Sequence, residues 1–158
     1  MIKKFILKPV VMFLYSAWCK YFVICPYINN EAKYMAKGVK PFTALADDDR
    51  FLAEYEFPQF DPLVEQGIVL EQKYHTPMKN FRGEDIILTK AYYYYPGEQW
   101  RIKRWELLHD NYPAYKNSST IREGLLLGYP KKYIRRWLIR EKIYNWLQNK
   151  ELAPVFKY

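Results

Sequence analysis

The stretch that decides the fold is residues 84–96, EDIILTKAYYYYP. It is rich in β-branched and aromatic residues, which favour β-strands. Residues 68–76, IVLEQKYHT, have the same character, and the turn formers Pro77, Asn80 and Gly83 lie between the two stretches. The pattern therefore predicts an antiparallel pair of strands joined by a longish loop.

Four consecutive tyrosines, Tyr92, Tyr93, Tyr94 and Tyr95, end the second strand. Successive side chains of a strand point to opposite faces, so two of these rings face inward and two face outward. The outward pair has two interpretations. It belongs to a protein interface, where exposed tyrosines are common, or it lies beneath a second packed layer.

Helical patterns fill the rest of the C-terminal half. Residues 96–110, PGEQWRIKRWELLHD, repeat apolar side chains at helical spacing. Thr120 and Glu123 form a capping-box pair that predicts the start of a short helix, and Gly128 suits the end of that helix. Pro130 then opens the last helix. We expect two or three helices after the strands.

The last helix, residues 131–150, KKYIRRWLIREKIYNWLQNK, carries seven basic residues and one acid. Its broad apolar face comprises Tyr133, Ile134, Trp137, Leu138, Tyr144 and Leu147. Three further apolar residues, Ile139, Ile143 and Trp146, lie on the basic side, where a solvated helix does not carry large apolar groups. The helix is therefore expected to contact something on both sides. The residues predicted to bind a polyanion or a partner are Lys131, Lys132, Arg135, Arg136, Ile139, Arg140, Ile143 and Trp146.

Four interpretations of this basic side stay open. Lysine and arginine neutralise nucleic-acid phosphates while tryptophan and tyrosine stack on bases, although no zinc finger, helix-turn-helix or RNP-like motif is present. An anionic membrane surface also suits basic residues beside tryptophan. A protein groove favours arginine, tyrosine and tryptophan as anchors. In the fourth interpretation, the cations only solubilise a packed helix.

Residues 1–27, MIKKFILKPVVMFLYSAWCKYFVICPY, are the most apolar part of the chain. Their basic start and apolar middle fit a secretory signal, but no small-x-small cleavage site follows. As a helix, residues 5–25 are long enough to cross about 30 Å of hydrocarbon. However, Lys8, Pro9 and Lys20 interrupt the run, and a lysine at the bilayer centre costs about 3 kcal/mol.

On a helix the lysines of this run form one polar stripe, and the remaining circumference is apolar. We therefore predict a hydrophobic N-terminal helix. Three interpretations stay open: a helix or a pair of strands buried in the protein, a marginal membrane span or interfacial helix, and a targeting segment. The residues predicted to contact a membrane or a partner are Phe5, Val10, Phe13, Leu14, Trp18 and Phe22.

Residues 28–66 are punctuated by prolines and are expected to be irregular. Within them, residues 47–57, DDDRFLAEYEF, predict a short helix. Three carboxylates at its start are stabilised by the positive end of the helix dipole. Consecutive side chains diverge from a helix start, whereas a divalent cation needs six or more converging oxygens. We therefore expect no metal site here.

Length and charge limit the class of protein. The chain has 158 residues, which suits one domain with a substantial core, and its formal net charge is +8. The charge is concentrated at the ends, since residues 1–27 have four lysines and no acid, and residues 131–158 have eight basic and two acidic residues. This asymmetry indicates a polyanion or membrane partner. Cys19 and Cys25 are interpreted as buried free thiols, which indicates a reducing compartment.

Motifs for catalysis are missing from the sequence. It contains two histidines, His75 and His109, and no HExxH, P-loop, G-x-S-x-G or GxGxxG pattern. The two cysteines lie in the apolar N-terminal run, where a thiol has a raised pKa and low reactivity. The sequence therefore favours a protein without catalytic activity and without a cofactor.

These observations together predict an α+β chain. It comprises a hydrophobic N-terminal helix (residues 1–27), an irregular linker with a short helix (28–66), and a small α+β domain with an antiparallel hairpin and a basic C-terminal helix (67–158). The predicted function is that of an accessory or interaction protein, docked through its basic, aromatic-rich ends to protein partners in a larger assembly, with a membrane complex included. A soluble nucleic-acid-binding protein is the first alternative. An enzyme or small-ligand binder with a tyrosine, arginine and carboxylate pocket is the second.

Overall fold

The computed structural model describes residues 2–18, 27, 30–47, 56–80, 82–111 and 117–150. This part of the chain contains six helices, three strands and one turn of 3-10 helix at Phe57–Gln59. The helices are α1 (Ile2–Trp18), α2 (Glu31–Ala36), α3 (Asp61–Glu65), α4 (Trp100–Asn111), α5 (Asn117–Leu126) and α6 (Lys131–Asn149). The strands are β1 (Phe42–Asp47), β2 (Leu70–Lys79) and β3 (Asp85–Tyr94). The predicted α+β class is confirmed.

The predicted hairpin is formed by β2 and β3, which pair antiparallel from Leu70 opposite Tyr94 to Lys79 opposite Asp85. Its turn is shorter than we expected. The side-chain oxygen of Asn80 accepts the backbone N–H groups of Arg82 and Glu84 at 2.8 and 3.0 Å. Pro77, which the sequence places in the turn, lies inside β2. Proline is tolerated there because β2 is an edge strand of the sheet.

The third strand was not predicted. β1 pairs antiparallel with β3 from Phe42 opposite Tyr94 to Asp47 opposite Thr89, so β3 lies in the centre of the sheet. The expectation of an irregular range at residues 28–66 is therefore wrong for β1. The sequence of β1, FTALAD, has two alanines and ends in aspartate, all poor strand formers. Pairing with a neighbouring strand, rather than local preference, makes this segment a strand.

The helix predicted at residues 47–57 lies mostly outside the described residues. Asp47 ends β1 and Phe57 begins the 3-10 turn, but residues 48–55 are not among those described. The described part of the middle segment contains α2 and α3 besides β1. The division of the chain at residues 27 and 66 stays a prediction.

Both faces of the sheet are covered at the Tyr92–Tyr94 end of β3, so the second-layer interpretation of these tyrosines is confirmed. Tyr92 and Tyr94 lie in the front cluster with Phe42 and Ile102, where Ala44, Trp105 and Leu127 pack against it. The back cluster comprises Ala32, Met35, Phe57, Phe60, Leu63, Val69, Ala91 and Tyr93. There the ring of Tyr93 stacks on Phe60 with 3.9 Å between ring centroids. Alternation along β3 thus supplies aromatic rings to two separate cores.

Two basic side chains donate hydrogen bonds to carbonyl oxygens at the C-terminal end of α5. These carbonyls have no partners within the helix. Lys40 is fully buried, and its Nζ donates to the carbonyl oxygens of Phe42 at 2.8 Å and Leu127 at 3.4 Å. From α4, the Nη1 of Arg101 donates to the carbonyl oxygen of Leu126 at 2.7 Å. These bonds stabilise the end of α5 against the sheet and α4.

Two glycines allow close approach between α5 and its neighbours. Gly128, the predicted end of this helix, has φ +75, and a Cβ there would lie 2.3 Å from the Cδ of Pro41. A Cβ at Gly124 would lie 2.8 Å from the Cγ1 of Ile134 in α6. Pro130 immediately precedes α6, as predicted. The chain therefore turns sharply from α5 into α6 with little space between the helices.

α1 contacts α6 at Tyr15. The Tyr15 hydroxyl donates to the carbonyl oxygen of Arg140 at 3.4 Å, and its ring centroid is 5.8 Å from that of Tyr144. Of the hydrophobic helix predicted at residues 1–27, the structure describes Ile2–Trp18 as α1. Cys19, Cys25 and the rest of 19–26 lie outside the described residues. Among the helices described, none has the length and apolar character needed to cross a bilayer.

Candidate functional sites: the outer face of α6 and a cleft beside α4

Large apolar side chains are exposed on the C-terminal helix. Ile139, Ile143 and Trp146 are 41%, 36% and 55% exposed. Residues spaced by three or four lie on one side of a helix, so these three form a single stripe. The stripe continues toward the start of α6 through Arg136 and Lys132. It is apolar in its C-terminal half and cationic in its N-terminal half.

Two further predicted cations, Lys131 and Arg135, lie beside this stripe. Lys131, Lys132, Arg135 and Arg136 are all exposed. The one acid of the helix, Glu141, is half-buried and accepts a hydrogen bond from Nε1 of Trp137 at 3.0 Å. We call the exposed surface the outer face of α6. Its members are Lys131, Lys132, Arg135, Arg136, Ile139, Ile143 and Trp146.

Arg140 does not belong to the outer face, although the sequence grouped it with these residues. It is half-buried, and its guanidinium lies 4.4 Å from the ring centroid of Trp137. Its carbonyl accepts the hydrogen bond from Tyr15 of α1. Arg140 therefore lies on the side of α6 that packs within the protein.

The N-terminal candidates differ in exposure. Val10, Phe13 and Leu14 are exposed, and Phe13 is the most exposed of them at 72%. Trp18 is half-buried, with its ring centroid 6.2 Å from that of Tyr15. Phe5 lies within α1. Phe22 lies outside the described residues.

A cleft of about 430 Å³ opens between α4 and the sheet. It is lined by Ala44, Leu45, Ala46, Lys90, Tyr92, Trp105, Glu106, His109 and Asp110. Ala44 lies opposite Tyr92 and Ala46 opposite Lys90 in the sheet. Because alternate residues of a strand share a face, the two alanines leave room where larger side chains would fill it. We call this space the α4 cleft.

The helical wall of the α4 cleft is polar and aromatic. Glu106, His109 and Asp110 recur at helical spacing and so share one side of α4. The ring centroids of Trp105 and His109 are 4.4 Å apart, and Nδ1 of His109 lies 2.9 Å from the carbonyl oxygen of Trp105. Since a carbonyl oxygen only accepts, Nδ1 carries a hydrogen and donates it to Trp105. Nε2 lies 3.9 Å from Oε1 of Glu123 in α5.

The other histidine is separate from this cleft. His75 lies in β2, is exposed, and has Nδ1 3.1 Å from the hydroxyl of Thr89. Within the described residues no group of three or more histidine, cysteine and acidic side chains is arranged to hold a metal ion. The α4 cleft is thus a concave site that places one histidine beside carboxylates.

Sequence reasoning missed most of this cleft. From the sequence, His109 was noted only as one of two histidines outside any catalytic motif. The spacing of Glu106, His109 and Asp110 is visible in the sequence and could have indicated a shared polar side. The opposite wall could not be inferred, because it depends on the unpredicted strand β1.

A second concavity, of about 870 Å³, lies between α4 and α5. It is lined by Trp100, Arg101, Arg104, Leu107, Leu108, Arg122, Leu125 and Leu126. Arg101 is already engaged there, with Nε 2.5 Å from Oε2 of Glu98 and Nη1 bonded to the end of α5. The groove combines arginine with apolar residues, as the outer face of α6 does.

Tyr92 forms the floor of the α4 cleft and links it to stability at high pH. Its hydroxyl donates to Oε1 of Glu106 at 3.4 Å. Burial, and next the Glu106 carboxylate, raise the pKa of Tyr92 from 10.0 to about 12. The folded protein therefore retains this proton in a range where the unfolded chain has lost it, so ionisation opposes folding.

We expect the free energy of unfolding to fall as the pH rises from 10.0 to about 12, and Tyr92→Phe to make that fall less steep. Urea unfolding at a series of pH values measures it. The same substitution at Tyr133, a half-exposed residue of α6, controls for the loss of one hydroxyl. Parallel pH curves for the wild type and Tyr92→Phe would contradict the prediction.

Comparison with protein-family models, with curated proteins and with solved structures finds no match to this chain.

Proposed function

We propose that this protein is a non-catalytic accessory protein that docks through its two basic, aromatic-rich ends onto a protein partner in a larger assembly. The outer face of α6 makes the main contact and the exposed side of α1 a second one. The observation that carries the proposal is the exposure of Ile139, Ile143 and Trp146 beside a row of cations. A partner surface with apolar pockets and carboxylates would complement this face.

The packing of α6 supports a partner on its outer side. The inward side of the helix has its own contacts, since Ile134 and Leu147 are buried and Tyr144 meets α1. The outer stripe is therefore not required to hold α6 in place. Tryptophan and arginine are the residue types that most often dominate binding energy at protein interfaces, and both occur on the outer face.

The chemistry of the stripe favours protein over nucleic acid. Lysine and arginine would bind phosphates, and Trp146 could stack on a base. Ile139 and Ile143 can do neither, because an aliphatic side chain has no charge and no ring. They occupy the centre of the stripe, where a protein partner would bury them. The experiment must therefore distinguish a protein partner from a nucleic-acid partner.

Membrane complexes are among the kinds of assembly that fit the proposal. Val10, Phe13 and Leu14 expose apolar groups on α1, as a helix lying against lipid or against a membrane subunit would. The partner is in either case a protein, and lipid contact would be an addition to that interface. Recovery of the complex only after detergent extraction would identify a membrane assembly.

The experiment compares the tagged full-length chain with outer-face variants in cells of its source. Trp146→Ala and Ile143→Ser are each expected to weaken capture of the partner that the wild-type chain binds. Trp146→Ala should cost about 2 kcal/mol of binding free energy, or roughly thirtyfold in affinity. The affinity is then measured with the purified partner. Arg135→Gln with Arg136→Gln should slow association and reduce its salt dependence.

Ile87→Ser is the matched control, because Ile87 is 50% exposed but lies in β3, away from α6. It should leave partner capture unchanged. If Trp146→Ala and Ile143→Ser each bind the partner as tightly as the wild type does, the proposal is overturned. Capture that is abolished by nuclease would also overturn it, and would identify nucleic acid as the partner.

A further inference from the structure

The polar side chains that line the α4 cleft are mostly hydrogen-bond acceptors, and the proposed docking function does not involve them. Glu106 and Asp110 supply carboxylate oxygens, which only accept hydrogen bonds when ionised. With Nδ1–H donated to the helix carbonyl, Nε2 of neutral His109 is also an acceptor. Among the lining residues, Lys90 supplies the one ammonium, and it is exposed. The lining is therefore rich in acceptors and has two carboxylates against one ammonium.

Aromatic rings supply the other half of the site. Trp105 and Tyr92 both line the cleft, and both pack on buried Phe42, with ring centroids 6.0 and 6.1 Å from it. The face of an aromatic ring attracts a cation, and tryptophan does so most strongly. Because Phe42 is fully buried between these rings, their positions are set by the core. The site is thus formed by the fold itself.

The local charge contrasts with that of the protein. The chain carries a formal net charge of +8, so its general field repels cations. The α4 cleft is an acidic exception, since Glu106 and Asp110 outnumber Lys90 in its lining. A volume of about 430 Å³ is within the range of small-molecule sites.

We propose that the α4 cleft binds a small organic cation that carries N–H donors, such as an amine, a guanidinium or an amidinium. The ligand's N–H groups would donate to Glu106, Asp110 and Nε2 of His109, and its body would lie against Trp105. Charge-assisted hydrogen bonds to carboxylates are shorter and stronger than neutral ones, so Asp110 and Glu106 determine the preference for a cation. This assignment does not depend on the partner that α6 binds.

The test uses three flat probes of nearly equal shape on the full-length chain. Benzamidine is an amidinium cation, benzamide is its neutral counterpart and benzoate is an anion. Titration followed by calorimetry and by amide chemical shifts should show saturable binding of benzamidine, with shifts centred on Trp105, His109 and Ala46. Benzamide and benzoate should bind at least about tenfold more weakly, since each loses the charge-assisted bonds.

Asp110→Asn should weaken benzamidine binding about tenfold while leaving thermal unfolding unchanged, because Asp110 is exposed. Asp85→Asn is the matched control, at the far end of β3, and should bind as the wild type does. Ala46→Leu fills the cleft without altering charge and should abolish binding. Equal binding of benzamidine and benzoate, or full binding by both Asp110→Asn and Ala46→Leu, would overturn the assignment.

Discussion

Phe42→Ala is expected to lower the free energy of unfolding by about 3–5 kcal/mol. The Phe42 side chain is fully buried in the front cluster. It stacks on Tyr92 and meets the ring of Trp105 edge-on, so its removal leaves a cavity that neither ring can fill without moving. Urea unfolding followed by circular dichroism measures the loss.

Phe13→Ala makes the same change on α1, where the ring is 72% exposed. A substitution at the surface usually changes stability by about 0.5 kcal/mol or less. The comparison therefore separates the stability lost by removing a buried ring from the stability lost by replacing phenylalanine as such. A loss of stability in Phe13→Ala equal to that in Phe42→Ala would contradict the packing described for the front cluster. Phe42→Ala should also weaken benzamidine binding, because it removes the support of Trp105.

Gly128→Ala is the second change with a large expected effect, about 2–4 kcal/mol in the free energy of unfolding. Its φ of +75 costs a residue with a side chain about 1–2 kcal/mol. The added Cβ would also lie 2.3 Å from the ring of Pro41, so the end of α5 must shift away from β1. Thermal and urea unfolding measure the effect.

Gly67→Ala separates the two causes. Gly67 has a similar φ, +67, but a Cβ there would meet nothing within 4 Å. We expect it to lose only the backbone contribution, about 1–2 kcal/mol. Equal losses at Gly67 and Gly128 would mean that contact with Pro41 is unimportant. A larger loss at Gly128 would show that the close approach of Pro41 leaves no room for a side chain at the end of α5.

The elements that could be predicted from sequence are those with a local signal. The hairpin was predicted because β2 and β3 are close in sequence and rich in strand formers. α6 was predicted from helical periodicity, and the end signal of α5 at Gly128 and the start signal of α6 at Pro130 were correct. The start of α5 was placed too late, at Thr120, because a capping-box pattern occurred inside a helix that begins at Asn117. Local patterns set the type of an element better than its boundary.

The two candidate sites also differ in whether a local sequence pattern could predict them. The outer face of α6 lies on one helix, so the positions of Ile139, Ile143 and Trp146 follow from spacing alone. Arg140 was grouped with them because the sequence does not show that α1 covers this side of the helix. The α4 cleft joins Ala46 of β1 to Asp110 of α4, which are far apart in sequence. Such a site depends on long-range pairing and has no local pattern.

Pro77 in β2 has a consequence for how this protein avoids self-association. An open sheet edge presents free backbone donors and acceptors, which invite a strand from another molecule. A proline lacks the amide hydrogen that such a strand would use. Lys73 and Lys79 on the same strand, paired with Glu71 and Asp85, also keep this edge charged. Polymerisation by strand addition along β2 is therefore disfavoured by the composition of the strand itself.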